Sequence, residues 1–306
     1  MCCFASPVIS VDNTKIFGRL DGDGNQYLAY EMRFESETEN AMILPLPVAL
    51  PAADSSIEFI DLSGYDQFFS ALRSGFPNPR PPANSRTLVD SIASNKAPLR
   101  VYDVGEFIAS FVPSITDFSR VDSRFSIPKN TWEKIPLYSD YSFAVFQFKQ
   151  LRAKVHPMAF RFKTRHPESV FFPTVHIHDG EVHKKEHFDH DLYMQHASLD
   201  GKAGRYTGKR DKATGVIRSN KDARFFVDID RSKGLVAPDL LVHRKQLKGN
   251  LSNKDLFEKI AGDPLTRSTS SLDQMKYYLP VAGMLLPAAW IIRRRNVLKS
   301  KSEGER

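Results

Sequence analysis

The sequence predicts an α+β fold built mainly from antiparallel β-sheet, with a few helices and a hydrophobic segment at the carboxy terminus. Hydrophobic and polar residues alternate in several short segments, and turn-forming Asp and Gly residues separate some of them. Helical spacing of hydrophobic residues is confined to short stretches. The chain has 306 residues, of which 41% are hydrophobic, so it is long enough to bury a substantial core.

The predicted elements begin with a hairpin over residues 7–34, whose two strands are joined by the turn-forming run Asp21 to Asn25. Residues 41–50 predict a short buried strand, and the interruption by Pro45 and Pro47 indicates that it ends at a sheet edge. A helix follows where hydrophobic residues recur at helical spacing, and this stripe is expected to pack into the core; it consists of Tyr65, Phe68, Phe69 and Leu72. Further strands are predicted at 143–148, 158–163 and 225–230, and a short helix at 253–261.

The domain organisation follows from composition. Four prolines between Pro77 and Pro82 indicate a surface loop, and this is the most plausible internal break in the globular part. The predicted organisation is a globular α+β domain over 1–250 with a possible break near 76–86, a short helix and flexible joint over 251–276, a membrane segment over 277–292, and a basic tail over 293–306.

The segment 277–292 contains no charged residue, and Arg293, Arg294 and Arg295 follow it directly. A membrane-spanning helix usually needs about 20 hydrophobic residues, so this segment is short for one. A triple arginine fits poorly beside a buried core, which favours a membrane anchor over a buried terminal helix. We therefore expect membrane association through 277–292, with the side of the membrane undetermined. The alternative is a soluble cytoplasmic protein.

Charge and cysteine content exclude several classes of protein. The net charge is +7, and residues 202–224 hold eight Lys or Arg against two Asp. Nucleic-acid sites usually place aromatic side chains among their basic residues, and only Tyr206 does so here. This stretch is therefore predicted to be a solvated loop, with no nucleic-acid partner; protein partners are not predicted. Two adjacent cysteines, Cys2 and Cys3, exclude a disulfide framework.

Six of the nine histidines lie between His176 and His196. Asp179-Gly180 predicts a two-residue turn between paired strands. In that register His176 lies opposite His183, and His178 lies opposite Glu181. Because strand side chains alternate between faces, all four share one face of the hairpin.

Three imidazoles on one face predict a divalent transition-metal site, with zinc the first choice, at His176, His178 and His183. Glu181 would be a fourth ligand or a general base, and metal-activated water would then support hydrolysis. If the second strand continues, His187 joins this face, whereas His190 does not. His187 or Asp189 would orient the ligands. The alternative is a solvated polar face without a metal, in a non-enzymatic structural or interaction domain.

The amino terminus is a second candidate site. Removal of the initiator Met would expose Cys2, whose α-amino group would act as the base for its thiol, as in N-terminal nucleophile hydrolases. The segment from Ile16 to Asp21 resembles the Phe-Gly-Arg-x-x-Asp region of the choloylglycine hydrolase family, with one residue fewer between Arg and Asp. That resemblance implies that Arg19 and Asp21 support the nucleophile. The corresponding function is a Cys2-dependent amidohydrolase.

A wider pattern resembles a bacterial domain family of unknown function. The motifs are a Cys-containing start at Cys3-Phe4, the segment 14–17, the Pro-x-Pro strand at 40–48, an acidic and aromatic helix at 61–72, and the His-x-His-Asp-Gly run that ends at Gly180. The resemblance covers residues 2–72 and 157–195. It implies a carboxy-terminal membrane segment and carries no activity.

Overall fold

Most of the described chain forms β-strands. The structure is a computed structural model, and it describes residues 3–77, 102–127, 129–211 and 215–260. The strands are β1 (Cys3–Phe4), β2 (Ser10–Leu20), β3 (Asn25–Glu35), β4 (Ala41–Leu46), β5 (Ile57–Asp61), β6 (Tyr102–Val104), β7 (Phe107–Val112), β8 (Ser142–Phe148), β9 (Arg152–Lys154), β10 (Met158–Lys163), β11 (Ser169–Phe172), β12 (Lys185–Gln195), β13 (Ile217–Arg218), β14 (His243–Ser252) and β15 (Leu256–Lys259). The α-helices are α1 (Phe68–Ser74), α2 (Lys129–Glu133) and α3 (Ala197–Lys202).

The strands form three sheets. The first has the order β1-β4-β8-β7-β6 and is antiparallel throughout. The second has the order β13-β14-β12-β2-β3-β10-β5, with β9 also paired to β3, and its β2–β12 pair is parallel. The third joins β11 to β15. The predicted α+β class with mainly antiparallel sheet is therefore confirmed for the described residues.

The predicted hairpin at the start of the chain is confirmed as β2 and β3. The Asp21 carboxylate closes the connection by accepting hydrogen bonds from the backbone N–H groups of Asp23 and Asn25, at 3.0 and 2.8 Å. Gly24 has φ +75°, a conformation that favours glycine. This hairpin sets the register of the second sheet, because β2 also pairs with β12.

The predicted hydrophobic stripe is buried, and it covers one face of the second sheet. Phe68 of α1 contacts Phe17 of β2, with ring centroids 5.7 Å apart, and Phe69 contacts Tyr193 of β12 at 6.0 Å. The helix itself begins at Phe68, three residues after the predicted stripe begins at Tyr65. The opposite face of the second sheet and the strands β4 and β8 contribute to a larger buried cluster.

A close approach between β2 and β11 positions the segment that carries the candidate site. A Cβ atom at Gly18 would lie 2.7 Å from Cγ1 of Val170 and 3.2 Å from the ring of Phe172. Only glycine gives β11 this room, because real Cβ contacts do not become so short. The chain leaves β11 after Phe172 and enters the histidine-rich segment from there.

Outside the histidine-rich segment, two predicted elements are wrong. Residues 225–230 form no strand, since a 3₁₀ helix over Ala223–Phe225 is followed by turns. The predicted helix at 253–261 is replaced by β15, which pairs with β11. Its hydrophobic spacing fits a helix, but backbone pairing with β11 decides the local structure there.

Several predictions lie outside the described residues: Cys2, most of the break near 76–86, the segment 277–292 and the tail 293–306. No helix within the described ranges is long and hydrophobic enough to cross a bilayer.

Candidate functional site

The histidine-rich segment between β11 and β12 is a loop, so the predicted hairpin is wrong. Residues 173–184 have no strand assignment apart from one isolated bridge at Ile177. The chain does turn at Asp179-Gly180. Gly180 has φ +84°, and Asp179 Oδ1 accepts a hydrogen bond from the N–H of Glu181 at 3.0 Å. No ladder follows this turn, and His176 therefore does not lie opposite His183.

In the predicted hairpin the backbone of His176 and Ile177 would pair with the second strand. In the structure it is bound instead by two other parts of the chain. The Phe4 N–H donates to the Ile177 carbonyl at 3.0 Å, and Cys3 forms a parallel bridge with Ile177. On the other side, Asn253 accepts from the His176 N–H at 2.7 Å and donates to the His176 carbonyl at 3.0 Å. Both sides of His176 and Ile177 are thus held by residues distant in sequence.

A buried aspartate holds the start of the same segment. Asp255 Oδ1 accepts hydrogen bonds from the N–H groups of Thr174 and Val175, at 2.8 and 3.1 Å. Asp255 Oδ2 accepts from the Tyr138 hydroxyl at 2.7 Å. Burial raises the pKa of this carboxyl, while the hydrogen bonds from Tyr138 and the backbone oppose the shift. These contacts direct His176 into the interior.

The interior position brings three histidines together, which we name the imidazole cluster: His176, His178 and His190. The rings of His176 and His178 are nearly parallel, with centroids 5.0 Å apart, and those of His176 and His190 are 5.2 Å apart. Phe188 packs against His176 at 4.3 Å. His176 and His190 have no solvent exposure, and His178 is partly buried.

A line of polar contacts runs from the surface of β12 into the cluster. Nε2 of His176 and Nε2 of His190 are 3.4 Å apart. Nδ1 of His190 lies 3.4 Å from Asp189 Oδ1, and it is also 3.3 Å from the Asp189 N–H. Asp189 Oδ2 accepts from the Asn13 N–H at 2.6 Å. A carboxylate therefore stands behind the His190 ring, on the side away from His176.

Burial keeps the cluster uncharged at neutral pH. It lowers the pKa of His178 to about 4 and the pKa of His190 to about 3, and it lowers the pKa of His176 further. Nδ1 of His176 and Nε2 of His178 are buried and have no hydrogen-bond partner among the described residues. Buried polar atoms without a partner are uncommon and costly, so a ligand at Nε2 of His178 would stabilise the cluster.

Other residues predicted for the site lie at the surface. The His183 side chain is 51% exposed and its Nε2 contacts Asp179 Oδ2 at 2.8 Å, which raises the pKa of His183. Glu181 is exposed and pairs with Lys134. His187 is exposed on the face of β12 opposite His190. The structure therefore brings His176 and His178 together, but it does not bring His183, His187 or Glu181 to them.

His190 is the member of the cluster that sequence reasoning missed. The alternation within β12 carries the signal, because Phe188, His190 and Leu192 are buried while Asp189 and Asp191 between them are only partly buried. As positioned, no three His, Cys, Asp or Glu side chains in the described part of the chain are arranged to hold a metal ion.

Of the residues predicted for an amidohydrolase, Arg19 and Asp21 have other hydrogen-bond partners in the described structure. Arg19 donates to the carbonyls of Leu235 and Gly234, at 2.8 and 2.7 Å, and Asp21 closes the β2–β3 hairpin. Arg19 lies opposite Gln195, the last residue of β12. That level of the sheet is roughly 16 Å along the strand from His190. Cys3 is fully buried, and Cys2 lies outside the described residues.

Comparisons with known proteins give no relative in sequence. No family model matches the chain. No curated protein matches it either. Among solved structures, baculovirus P35 is 12% identical with a TM-score of 0.47, covering 85% of this chain and 100% of P35. A structure of the caspase-8/P35 complex is 12% identical with a TM-score of 0.42, and the match covers 81% of this chain and 96% of that chain. Similarity of this degree says nothing about what this chain does.

Proposed function

We propose that this protein binds a divalent transition-metal ion, zinc first, through the imidazole cluster. One observation carries the proposal, namely the 3.4 Å between the Nε2 atoms of His176 and His190. Two nitrogens bound at about 2.0–2.1 Å to a tetrahedral zinc ion lie about 3.3 Å apart. The same distance is long for a hydrogen bond, so the contact gains little as a bond between the two rings.

The chemistry of the donors supports the same proposal. A metal requires neutral imidazole, and the lowered pKa values of the three histidines keep them neutral. Nε2 of His178 is the third donor, and its ring must rotate about the side-chain bonds to join the other two. Asp189 behind His190 matches the carboxylates that commonly orient metal-binding histidines.

Hydrolysis is the narrower form of this proposal. It needs an open coordination position that substrate and water reach, and a metal there would supply an activated water. Because His176 and His190 are fully buried, a closed structural site fits the cluster better than a catalytic one. Glu181, paired with Lys134 at the surface, would have to move to act as a general base.

Metal titration of the purified full chain tests the proposal. After treatment with a chelator, we expect the protein to bind about one equivalent of Co²⁺ and to develop the visible absorption of a tetrahedral nitrogen-bound ion. The variant His190→Gln should lose this binding. The matched variant His183→Gln removes the exposed histidine of the sequence-based prediction and should bind like the wild type.

The outcomes separate the alternatives. Wild-type protein that binds no Co²⁺, Zn²⁺ or Ni²⁺ would overturn the proposal and favour a structural domain with a buried polar cluster. Loss of binding in His183→Gln, with binding kept in His190→Gln, would restore the site predicted from the hairpin. Thermal melting of each variant shows whether a lost site reflects an unfolded chain.

A second candidate is nucleophilic catalysis by Cys2, and the position of β1 favours it. Cys3 bridges Ile177, the residue between His176 and His178, so the chain start runs beside the imidazole cluster. A cysteine with a neutral imidazole as base is a common nucleophile pair. Cys3 is buried, so alkylation of the folded protein should modify Cys2 alone. A retained initiator Met in the intact mass, or an alkylation rate unchanged in His176→Gln, would contradict this candidate.

Membrane association through 277–292 stays a prediction. Deleting 277–306 should move the protein from the membrane fraction to the soluble fraction. If the shortened chain stays with the membranes, the anchor lies elsewhere or does not exist.

A further inference from the structure

A cavity at the β13 edge of the second sheet combines a basic lining with a buried histidine–aspartate pair. It has a volume of about 500 Å³ and lies between the end of α3, the loop that follows, and the strands β13 and β14. We name it the basic cavity. Its charged and titratable lining includes Lys202, Arg205, Lys209, Arg210, Arg218 and His243.

The positive charge of the basic cavity is not balanced by the protein. Asp211 is the one acidic residue among those that line it. Four of the basic residues form no ion pair with any described residue, namely Lys202, Arg205, Lys209 and Arg210. By contrast, Lys15 of β2 pairs with Glu31 at 2.6 Å, and Lys245 of β14 pairs with Glu258 at 2.7 Å. Like charges gathered around one concave surface attract anions from solution.

Buried polar contacts form the floor of the cavity. Nε2 of His243 lies 2.8 Å from Asp200 Oδ1, and these two side chains are only 2% and 3% exposed. Asp200 Oδ2 accepts a further hydrogen bond from the Leu241 N–H at 3.0 Å. Because Nε2 is bound to Asp200, Nδ1 is the ring nitrogen that remains for a ligand. The carboxylate fixes the orientation of the His243 ring, as it does in many binding sites.

The wall of the cavity is held in place before any ligand arrives. The Arg218 guanidinium donates to the carbonyls of Ser219 and Gly204, at 2.8 and 3.0 Å. The Tyr206 hydroxyl donates to the Pro77 carbonyl at 2.7 Å, which ties the loop after α3 to the end of the α1 region. Preformed walls reduce the entropy lost on binding.

We propose that the basic cavity binds a small organic anion that carries phosphate groups. Arg and Lys side chains recognise phosphate through charge-assisted hydrogen bonds, and several of them converge here. The volume lies in the range of small-molecule sites, which is about 300–1,000 Å³. A single-stranded nucleic acid fits less well, because it needs aromatic stacking platforms and Tyr206 is the one aromatic residue in the lining. This proposal is independent of the imidazole cluster.

Calorimetric titration of the full chain with pyrophosphate, inorganic phosphate and citrate tests the proposal. We expect pyrophosphate to bind more tightly than inorganic phosphate, and both to bind more tightly than citrate. The double variant Arg205→Ala plus Arg210→Ala should weaken pyrophosphate binding by about ten-fold or more, because two side chains that form charge-assisted hydrogen bonds to phosphate are removed. A matched double variant, Lys185→Ala plus Lys259→Ala, removes the same charge outside the cavity and should bind like the wild type.

Three results would overturn the proposal: no binding of pyrophosphate to the wild type, an equal loss in both double variants, or tighter binding of citrate than of pyrophosphate. A single-stranded oligonucleotide that displaces pyrophosphate at lower concentration would assign the cavity to nucleic acid instead. Neither double variant changes a buried residue, so thermal melting should give wild-type midpoints and tie any loss of binding to the cavity.

Discussion

The segment 176–183 carries histidine in both halves, 176–179 and 180–183, and the histidines at its two ends have opposite environments. His176 is fully buried and its pKa is lowered, whereas the His183 side chain is 51% exposed and its pKa is raised. The first half is held by β1 and Asn253, and the second half carries its own turn contacts around Asp179. The contrast teaches that partners distant in sequence, and not the local alternation, decide which histidines meet.

The largest expected effect is a decrease in the free energy of unfolding at acidic pH, caused by the buried histidines. Unfolded histidines titrate near pH 6.5, while folded His178 and His190 titrate near 4 and 3. The unfolded chain therefore binds more protons between these values. The contribution of the neutral buried histidines to the free energy of unfolding is fully present above about pH 6.5. As the pH decreases towards the folded pKa values, this contribution falls by about 1.4 kcal/mol per pH unit for each histidine. Urea unfolding over this range, with a chelator present, measures the slope.

Variants separate the two halves in the same experiment. His190→Gln should lower the slope of the unfolding free energy against pH by the amount that corresponds to about one proton. The reason is that one histidine with a strongly lowered pKa is removed. His183→Gln should leave the steep part of the curve unchanged. A wild-type unfolding free energy that does not vary between pH 6.5 and 5 would mean that the cluster is open to solvent.

The next effect in size concerns the residue that directs the buried half inward. Asp255→Ala leaves three donors without their acceptor: the N–H groups of Thr174 and Val175 and the Tyr138 hydroxyl. Buried unsatisfied donors are costly, so we expect the free energy of unfolding to decrease by about 3–5 kcal/mol. Tyr138→Phe removes one donor instead of the shared acceptor and should cost about 1 kcal/mol. Equal losses in the two variants, measured by urea unfolding, would contradict this account of Asp255.

A smaller effect is expected where both halves meet one side chain. Asn253 bonds the N–H and carbonyl of His176, and its amide also donates to the His183 carbonyl at 2.9 Å. Asn253→Ala should decrease the free energy of unfolding by about 1–3 kcal/mol, because the N–H and the carbonyl of His176 both lose their partly buried hydrogen bonds. Hydrogen exchange should speed up at the amide of His176 and remain unchanged in the strands of the first sheet. A uniform increase throughout the molecule would show that Asn253 stabilises the fold as a whole.

Sequence patterns predicted the parts of the fold that local chemistry decides. The Asp21–Asn25 run forms its own turn bonds, and the alternation at 143–148 and 158–163 matches β8 and β10. The helix predicted at 253–261 failed because β15 finds its hydrogen-bond partners on β11, far away in sequence. Local spacing carries no information about such a partner.

The candidate site was predictable to a similar extent. The density of histidines drew attention to His176 and His178, which lie together in the structure, but the Asp-Gly turn suggested a ladder that β1 and Asn253 prevent. The alternation of Phe188, His190 and Leu192 in β12 was readable from the sequence. The packing of Phe188 and His190 against His176 could not be read from the sequence. That contact joins the buried face of β12 to a loop whose position is set by other parts of the chain.

The smallest expected effect is the one that tests the exposed half directly. His183→Ala removes a ring that contacts Asp179 Oδ2 at 2.8 Å, but both side chains are more than half exposed. Exposed pairs of this kind contribute little because water and salt screen them. We expect no change in the urea midpoint or in Co²⁺ binding relative to the wild type. A clear loss of either would mean that His183 turns inward in solution, and the two halves would then form one site.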